Sequence, residues 1–243
     1  YDLIFSISEF TTEWITKRWK LPSYELQPAI DTETFNYDPS AIREQLVLSV
    51  GRFFAGGHNK KHHEMAKAFI RMREEGHISE GWRLALVGAR HREHPRHIVY
   101  FDKLQRLCEG HPIDIKTDLP FIELLEYYRK ASIYWHAAGW GERVHAYPER
   151  FEHFGMTTCE AMACGCVPVV FDGAGQREIV MDGDTGYLFK DYAMLAQRMR
   201  ALTAAYEERS FSQMGEKARN SIARYARSGF RERVKSAFQG IAY

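Results

Sequence analysis

The sequence has 243 residues, 45% of them hydrophobic and 14% aromatic, which is enough apolar mass for a sizeable buried core. Its 33 Lys and Arg against 32 Asp and Glu leave a near-neutral chain, which argues against a nucleic-acid ligand, a polyanion or a strongly anionic membrane surface. No apolar run reaches the roughly 18 residues of a membrane span, and no charged start leads into an apolar signal core. Cys108, Cys159, Cys164 and Cys166 lack the paired spacing of a disulfide framework, so a reducing, cytoplasmic location is expected.

The chain opens without Met on the strand-like run 1–8, which reads as the continuation of a longer polypeptide. A helix is expected over 9–19, ahead of an extended link at 21–39 that forms a domain boundary. Short apolar runs then alternate with helix-length amphipathic stretches. Strands are expected at 46–50, 84–87, 113–115, 133–136, 167–171 and 186–189, each rich in Val, Ile or Leu, as strands buried on both faces are. Helices are expected at 62–75, 96–109, 121–131, 157–164 and 191–207. In the second of these, Ile98, Phe101, Leu104 and Cys108 recur at helical spacing. Helices at 212–226 and 230–238 close the chain. The alternation predicts an α/β class with a mostly parallel sheet, and no internal repeat or low-complexity tract interrupts it.

Between His153 and Phe171 the only formally charged side chain is Glu160. A carboxylate in such a setting is partly buried and needs donors. Nothing local can serve, so a distant basic group or the hydroxyls of a ligand must. Gly155, in His153-Phe154-Gly155-Met156, permits close backbone approach, and the free amides at the N-terminus of the helix that starts just after Met156 suit a phosphate. A carboxylate for hydroxyls beside amides for phosphate is what a nucleotide sugar requires. Two glutamates eight apart, Glu152 and Glu160, would mean little without that frame. Further upstream, Gly51 and Arg52 follow an expected strand at its carboxyl end, where open α/β sheets bind ligands. The planar fork of Arg52 and the point charge of Lys60 suit a diphosphate. Lys61 competes with Lys60 for that role, and counting back from Ala68-Phe69 selects Lys60.

The run from Glu152 to Val170 closely resembles the signature of the family 4 retaining glycosyltransferases of the GT-B fold, the glycosyl transferases group 1. That signature is Glu, seven residues, Glu, then Ala-Met-Ala-x-Gly and a Pro-containing strand. Ser49-Val50-Gly51-Arg52 with Lys60 resembles the strand, loop and helix that grip the donor diphosphate, although the loop here is longer than usual. Asp182-Gly183-Asp184-Thr185-Gly186-Tyr187-Leu188 is similar to the closing turn and strand, and residues 4–11 are similar to the end of the N-terminal domain. The resemblance implies a Rossmann-like doubly wound parallel sheet, the C-terminal half of a GT-B enzyme. Residues 1–40 would be a remnant of the N-terminal domain with its linker, 41–210 the nucleotide-sugar-binding domain, and 211–243 helices packing back across the junction. It further implies transfer of a hexosyl unit from a UDP- or GDP-sugar to an acceptor hydroxyl, with retention and without a metal. Arg52, Lys60 and the amides after Gly155 would stabilise the leaving diphosphate. Glu160 would take the ribose hydroxyls, and Glu152 would orient the sugar and fix the loop carrying Phe154 and Gly155. Gly51, His153, Met156 and Thr157 complete the expected donor site, with the base near 115–120. The acceptor, a saccharide, lipid-linked or other hydroxyl compound, would be held mainly by the N-terminal domain, through which the enzyme could sit at a membrane surface. The chain alone is expected to bind donor without efficient transfer.

Other constellations compete. Asp182-Gly183-Asp184 has the form by which a different glycosyltransferase fold binds a divalent cation, but an Asp-Gly pair joining a helix to a strand reads as a turn. His91, His94 and His97 are interrupted by Pro95 and surrounded by Arg90, Arg92 and Arg96, which would repel a metal. The Gly-rich stretch 51–57 lacks the Lys-Ser or Lys-Thr of an ATPase loop, having His58-Asn59 instead. Cys164-Gly165-Cys166 has the wrong spacing for a redox pair. Trp140 and Tyr147 could stack on a sugar, although loop aromatics more often pack. The alternative without chemistry is a nucleotide-binding or scaffold module of Rossmann type.

Overall fold

In the computed structural model, which describes residues 3–38, 40–208 and 211–239, the apolar runs line up as parallel strands of one sheet. The chain enters through β1 (Phe5–Ser6), α1 (Glu9–Trp19) and β2 (Tyr24–Glu25), the two strands forming a separate parallel pair. There follow β3 (Glu44–Val50), α2 (His62–Glu74), β4 (Arg83–Gly88), α3 (Pro95–Cys108), β5 (Ile113–Thr117), α4 (Phe121–Lys130) and β6 (Ala131–His136). Then come α5 (Met156–Ala163), β7 (Val167–Phe171), α6 (Gln176–Ile179), β8 (Tyr187–Phe189) and α7 (Tyr192–Glu207). Helices α8 (Ser212–Ile222) and α9 (Arg227–Gln239) complete the order.

The six strands of the large sheet lie in the order β5-β4-β3-β6-β7-β8. The direction of winding reverses between β3 and β6, and this is the point at which doubly wound sheets open a crevice for ligands at the strands' carboxyl ends. Both faces are covered. Along β3, Val47 joins the core beneath α2, α3 and α7, while Leu46, Leu48 and Val50 join the core beneath α4, α5 and α8. That alternation is the period-two geometry of a strand, and burial on both sides explains why the sequence runs apolar without a polar face.

All six sheet strands fall where the hydrophobic runs predict them. The expected strand over 1–8 is short, Phe5–Ser6, with residues 1–2 outside the described residues. The link at 21–39 is not merely extended, because β2 pairs there with β1; residue 39 also lies outside the described residues. Helix α6 escapes prediction because one turn is too short to show a period. The last helix of the 212–226 stretch ends at Ile222 and tightens into a 3-10 turn, Ala223–Tyr225. Residues 209–210 and 240–243, at the ends of the expected 41–210 and 211–243 divisions, lie outside the described residues.

The C-terminal segment returns to the entry segment. The Ile30 amide donates to the Tyr225 carbonyl at 2.8 Å, Arg227 pairs with Asp31 at 3.0 Å, and the Phe238 ring meets Phe5 at 5.6 Å. The N-terminus of α1 is tied to the sheet body, where the Glu178 carboxylate accepts the Glu9 and Phe10 amides, each at 2.9 Å. Among the described residues no helix is long and apolar enough to cross a membrane. All four cysteines are unpaired and buried.

Candidate functional site

The crevice between β3 and β6 brings together residues far apart in the chain. At the end of β3, a Cβ on Gly51 would lie 2.5 Å from Cγ of Lys60, so only glycine lets the lysine stem cross the strand end. Thus placed, Lys60 Nζ forms an ion pair with Oε2 of Glu152. The imidazole Nε2 of His136, the last residue of β6, lies 2.8 Å from that same oxygen. Glu152 and Lys60 keep 12% and 16% side-chain exposure, whereas His136 keeps 1%, so the first two face the crevice and the histidine lies behind them. Burial by itself would raise the Glu152 carboxyl, but His136 and Lys60 outweigh it and hold the group well below the usual carboxylate range. Burial pushes His136 the other way, below the ordinary histidine value, only partly opposed by Glu152. Of the two groups that hold Glu152 down, His136 acts the more strongly and Lys60 brings the charge that does not depend on an imidazole's protonation.

Glu160, on α5, has a different environment. Its Oε2 accepts a hydrogen bond from the Tyr128 hydroxyl at 2.8 Å, and burial, incompletely offset by that bond, raises its carboxyl. Of the two partners expected for it, a distant basic group or the hydroxyls of a ligand, the first is not there among the described residues; a neutral phenol from α4 meets one oxygen instead. Around α5, Gly155 sits at φ +113°, the left-handed region, and its carbonyl accepts the Thr158 and Cys159 amides, each at 3.0 Å. The first helical amides, at Met156 and Thr157, have no acceptor four residues back. Thr157 is held by the Tyr134 hydroxyl, which donates to its Oγ1 at 2.7 Å and fixes the start of α5 next to β6. Phe154 is buried edge-on against Tyr225 at 5.3 Å, and His153 lies between His58 and Phe10 at ring separations of 5.4 and 6.0 Å. Met156 is exposed at the helix tip.

Arg52 is exposed, with its guanidinium 5.5 Å from the Phe54 ring and no acidic partner among the described residues. Its loop is pinned by His97, whose Nδ1 accepts the Ala55 amide at 2.9 Å, while His94 caps α3 by accepting from the Arg96 amide. The histidine repeat is thus a loop anchor and a helix cap. Lys61 turns away to Glu142 at 2.6 Å, which also holds Arg150 at 2.9 Å. Lys60, not Lys61, is the lysine that meets Glu152. Asp182 pairs with Arg198 at 2.8 Å and Asp184 with Lys217 at 2.6 Å, about a Gly183 at φ +80°, so that tripeptide is an ion-paired turn. Among the described residues no group of His, Cys, Asp and Glu is arranged to hold a metal. Trp140 packs edge-on against Phe189 at 5.2 Å, and Tyr147 carries Arg150 over its ring at 3.8 Å, so both have structural partners. In the 115–120 loop, Asp118 accepts the Arg90 amide at 3.1 Å and pairs with Arg92 at 2.7 Å.

Sequence reasoning missed His136, Tyr128 and Tyr134. The usable signal was weak, a polar residue ending an otherwise apolar buried strand, and only for His136.

The sequence profile of the glycosyl transferases group 1 family matches residues 33–228. The chain belongs to that family. Its α/β fold with a parallel sheet is the one seen in GT-B glycosyltransferase structures. It is 26% identical over 246 residues to the human GDP-Man:Man(3)GlcNAc(2)-PP-Dol alpha-1,2-mannosyltransferase, an alignment covering 94% of this chain and 46% of that protein. The chain thus spans about half the length of the curated relatives it matches along most of its length. Among solved structures it is similar to a glycosyltransferase from Rickettsia africae, with a TM-score of 0.78 at 15% identity over 98% of this chain and 63% of that one. It is also similar to HepE of Anabaena in complex with UDP and glucose, with a TM-score of 0.75 at 15% identity over 99% of this chain and 64% of that one.

Proposed function

We propose that this group 1 glycosyltransferase chain is the donor-binding, C-terminal half of a retaining enzyme of family 4. In this reading it moves a hexosyl unit from a nucleoside diphosphate sugar, GDP- or UDP-linked, to an acceptor hydroxyl. The observation that carries the proposal is the convergence of Lys60, Glu152 and the amide-bearing start of α5 at the β3/β6 crevice. Negative charge grows on the diphosphate as its bond to the anomeric carbon breaks. Lys60, Arg52 and the Met156 and Thr157 amides would stabilise it electrostatically, which leaves no task for a metal. Glu160, held on one oxygen by Tyr128, would accept ribose hydroxyls on the other. Glu152, held on Oε2 by Lys60 and His136, would offer Oε1 to a sugar hydroxyl. The leaving phosphate itself would help to deprotonate the acceptor, which the N-terminal half would hold.

The GDP-mannose in the name of the human relative and the UDP bound to HepE support a nucleoside diphosphate donor. Thermal melting against GDP, UDP and ADP tests the reading. A ligand that binds only the native state at a hundred times its Kd stabilises it by about 2.7 kcal/mol. We expect GDP or UDP to raise the Tm; no shift with any of the three at millimolar concentration overturns the proposal.

A further inference from the structure

His136 has no part in the reading above beyond its contact with Glu152, yet its position constrains how a donor can bind. Two groups share one carboxylate oxygen, since Lys60 Nζ and His136 Nε2 both meet Oε2 of Glu152. Neither ring nitrogen makes a well-aligned hydrogen bond among the described residues: Nε2 stands against Oε2 of Glu152 as a close polar contact at 2.8 Å, and Nδ1 is buried without a partner. The charged and titratable groups around the imidazole are Glu152 ahead of α5, Lys60 ahead of α2, and the fully buried His62 in the first turn of α2. His58, whose Nε2 meets the Phe151 carbonyl at 2.9 Å and whose ring lies 5.4 Å from that of His153, also feels the charges of Lys60 and Glu152. Among the described residues Lys60 is the one lysine or arginine paired with Glu152, and His136 is the imidazole that meets it, while His58 feels its charge without an ion pair. If Lys60 turns its ammonium to a diphosphate, the carboxylate remains buried and loses its counter-ion, which is costly.

Resting on the donor-site reading, we infer that His136 is a positioning residue that takes up a proton from solvent when Lys60 is drawn onto the donor diphosphate, keeping Glu152 paired and aimed at the sugar. The free protein holds the arrangement Lys60 cation, Glu152 anion and neutral His136. The complex holds the Lys60 cation on the diphosphate and a protonated imidazole on the Glu152 anion. The total charge rises by the one proton that enters. The burial that depresses His136 in the free protein is the same burial that makes an unpaired Glu152 a strong proton attractor in the complex. Because the complex binds more protons than the free protein, donor affinity rises as pH falls, by up to about tenfold per pH unit where the uptake is complete.

The test is calorimetric titration of GDP-mannose and UDP-glucose into the whole chain near neutral pH, in phosphate and in Tris, whose ionisation heats differ widely. In both donors the diphosphate is esterified at each end and exchanges no proton there, so any buffer-dependent heat belongs to the protein. Uptake approaching about one proton per donor bound is expected. His136→Gln, its folding checked by thermal melting, is expected to bind more weakly and without buffer-dependent heat. Equal heats in the two buffers for the wild-type protein, or an undiminished difference in His136→Gln, overturns the inference while leaving the donor site intact. Absence of binding by either sugar nucleotide overturns instead the donor-site reading and the inference with it. The wild-type buffer comparison decides the matter even if the variant does not fold.

Discussion

The two motif glutamates differ in what holds them, and on the proposed reading the difference suits each to its task. Glu152 is ionised beside a lysine, whereas Glu160 is braced by the Tyr128 hydroxyl with its carboxyl raised by burial. A buried carboxylate of this kind is stabilised when further donors arrive, as the ribose hydroxyls of the proposed donor would. Glu160→Gln preserves shape and can still accept the Tyr128 bond, but it replaces a charged acceptor by a neutral one. We expect a loss of about 1–2 kcal/mol in nucleotide binding, about fivefold to thirtyfold in Kd, with an unchanged Tm. Unaltered nucleotide affinity in a titration calorimeter would remove Glu160 from the site. Glu160 was legible from the uncharged run around it, because burial of a lone carboxylate is a local property of sequence. Its partner was not, because Tyr128 is one of several aromatics in α4 and nothing in that helix singles it out.

At the level of elements, the site is built from termini. Strand ends supply Gly51 and His136, and a helix start supplies Met156 and Thr157. The adjacent loop at Gly175 lies against the motif, its amide donating to the Glu152 carbonyl at 3.0 Å. One turn further on, Glu178 accepts two amides from the start of α1, a carboxylate cap on a helix N-terminus contributed by another element. Helix α1 buries none of its own residues fully, so this cap is a principal tie to the body. Glu178→Ala is expected to cost about 1 kcal/mol and to speed amide exchange at Glu9 and Phe10 well beyond that of β6. Hydrogen-exchange mass spectrometry that finds α1 equally protected in the variant would show that packing of Phe10 on His153 holds the helix instead. Elements of ten or more residues were readable from their periodicity. The single turn of α6, which carries the cap, was not, because four residues contain no full repeat.

For the whole molecule, the buried histidines make stability fall on the acid side. Burial holds His62 down to about 3, and it lowers His136 as well. A histidine depressed in the folded state contributes stability that is fully present above its unfolded value of about 6.5 and is lost as pH falls toward the folded value. Each such residue costs up to about 1.4 kcal/mol per pH unit in that interval, and Glu152, whose carboxyl is depressed, adds a further loss only below its own unfolded range near pH 4.5. Urea unfolding should therefore show a lower midpoint at pH 5.5 than at pH 7.5, and His62→Gln should flatten that slope; a midpoint independent of pH over this interval contradicts the neutral buried state of His62. The sequence by itself determined the α/β alternation, the places of the six sheet strands, the family and the frame around Glu160. All of these are carried by local periodicity or by one contiguous run of residues. Lys60 was already preferred to Lys61 from the sequence, but its pairing with Glu152, the approach of His136 to the same oxygen, the Tyr128 bond to Glu160 and the Glu178 cap on α1 come from the tertiary structure alone. The Lys60–Glu152, Tyr128–Glu160 and Glu178–Glu9 contacts span 92, 32 and 169 residues, and no local pattern encodes a contact that the winding of the sheet creates.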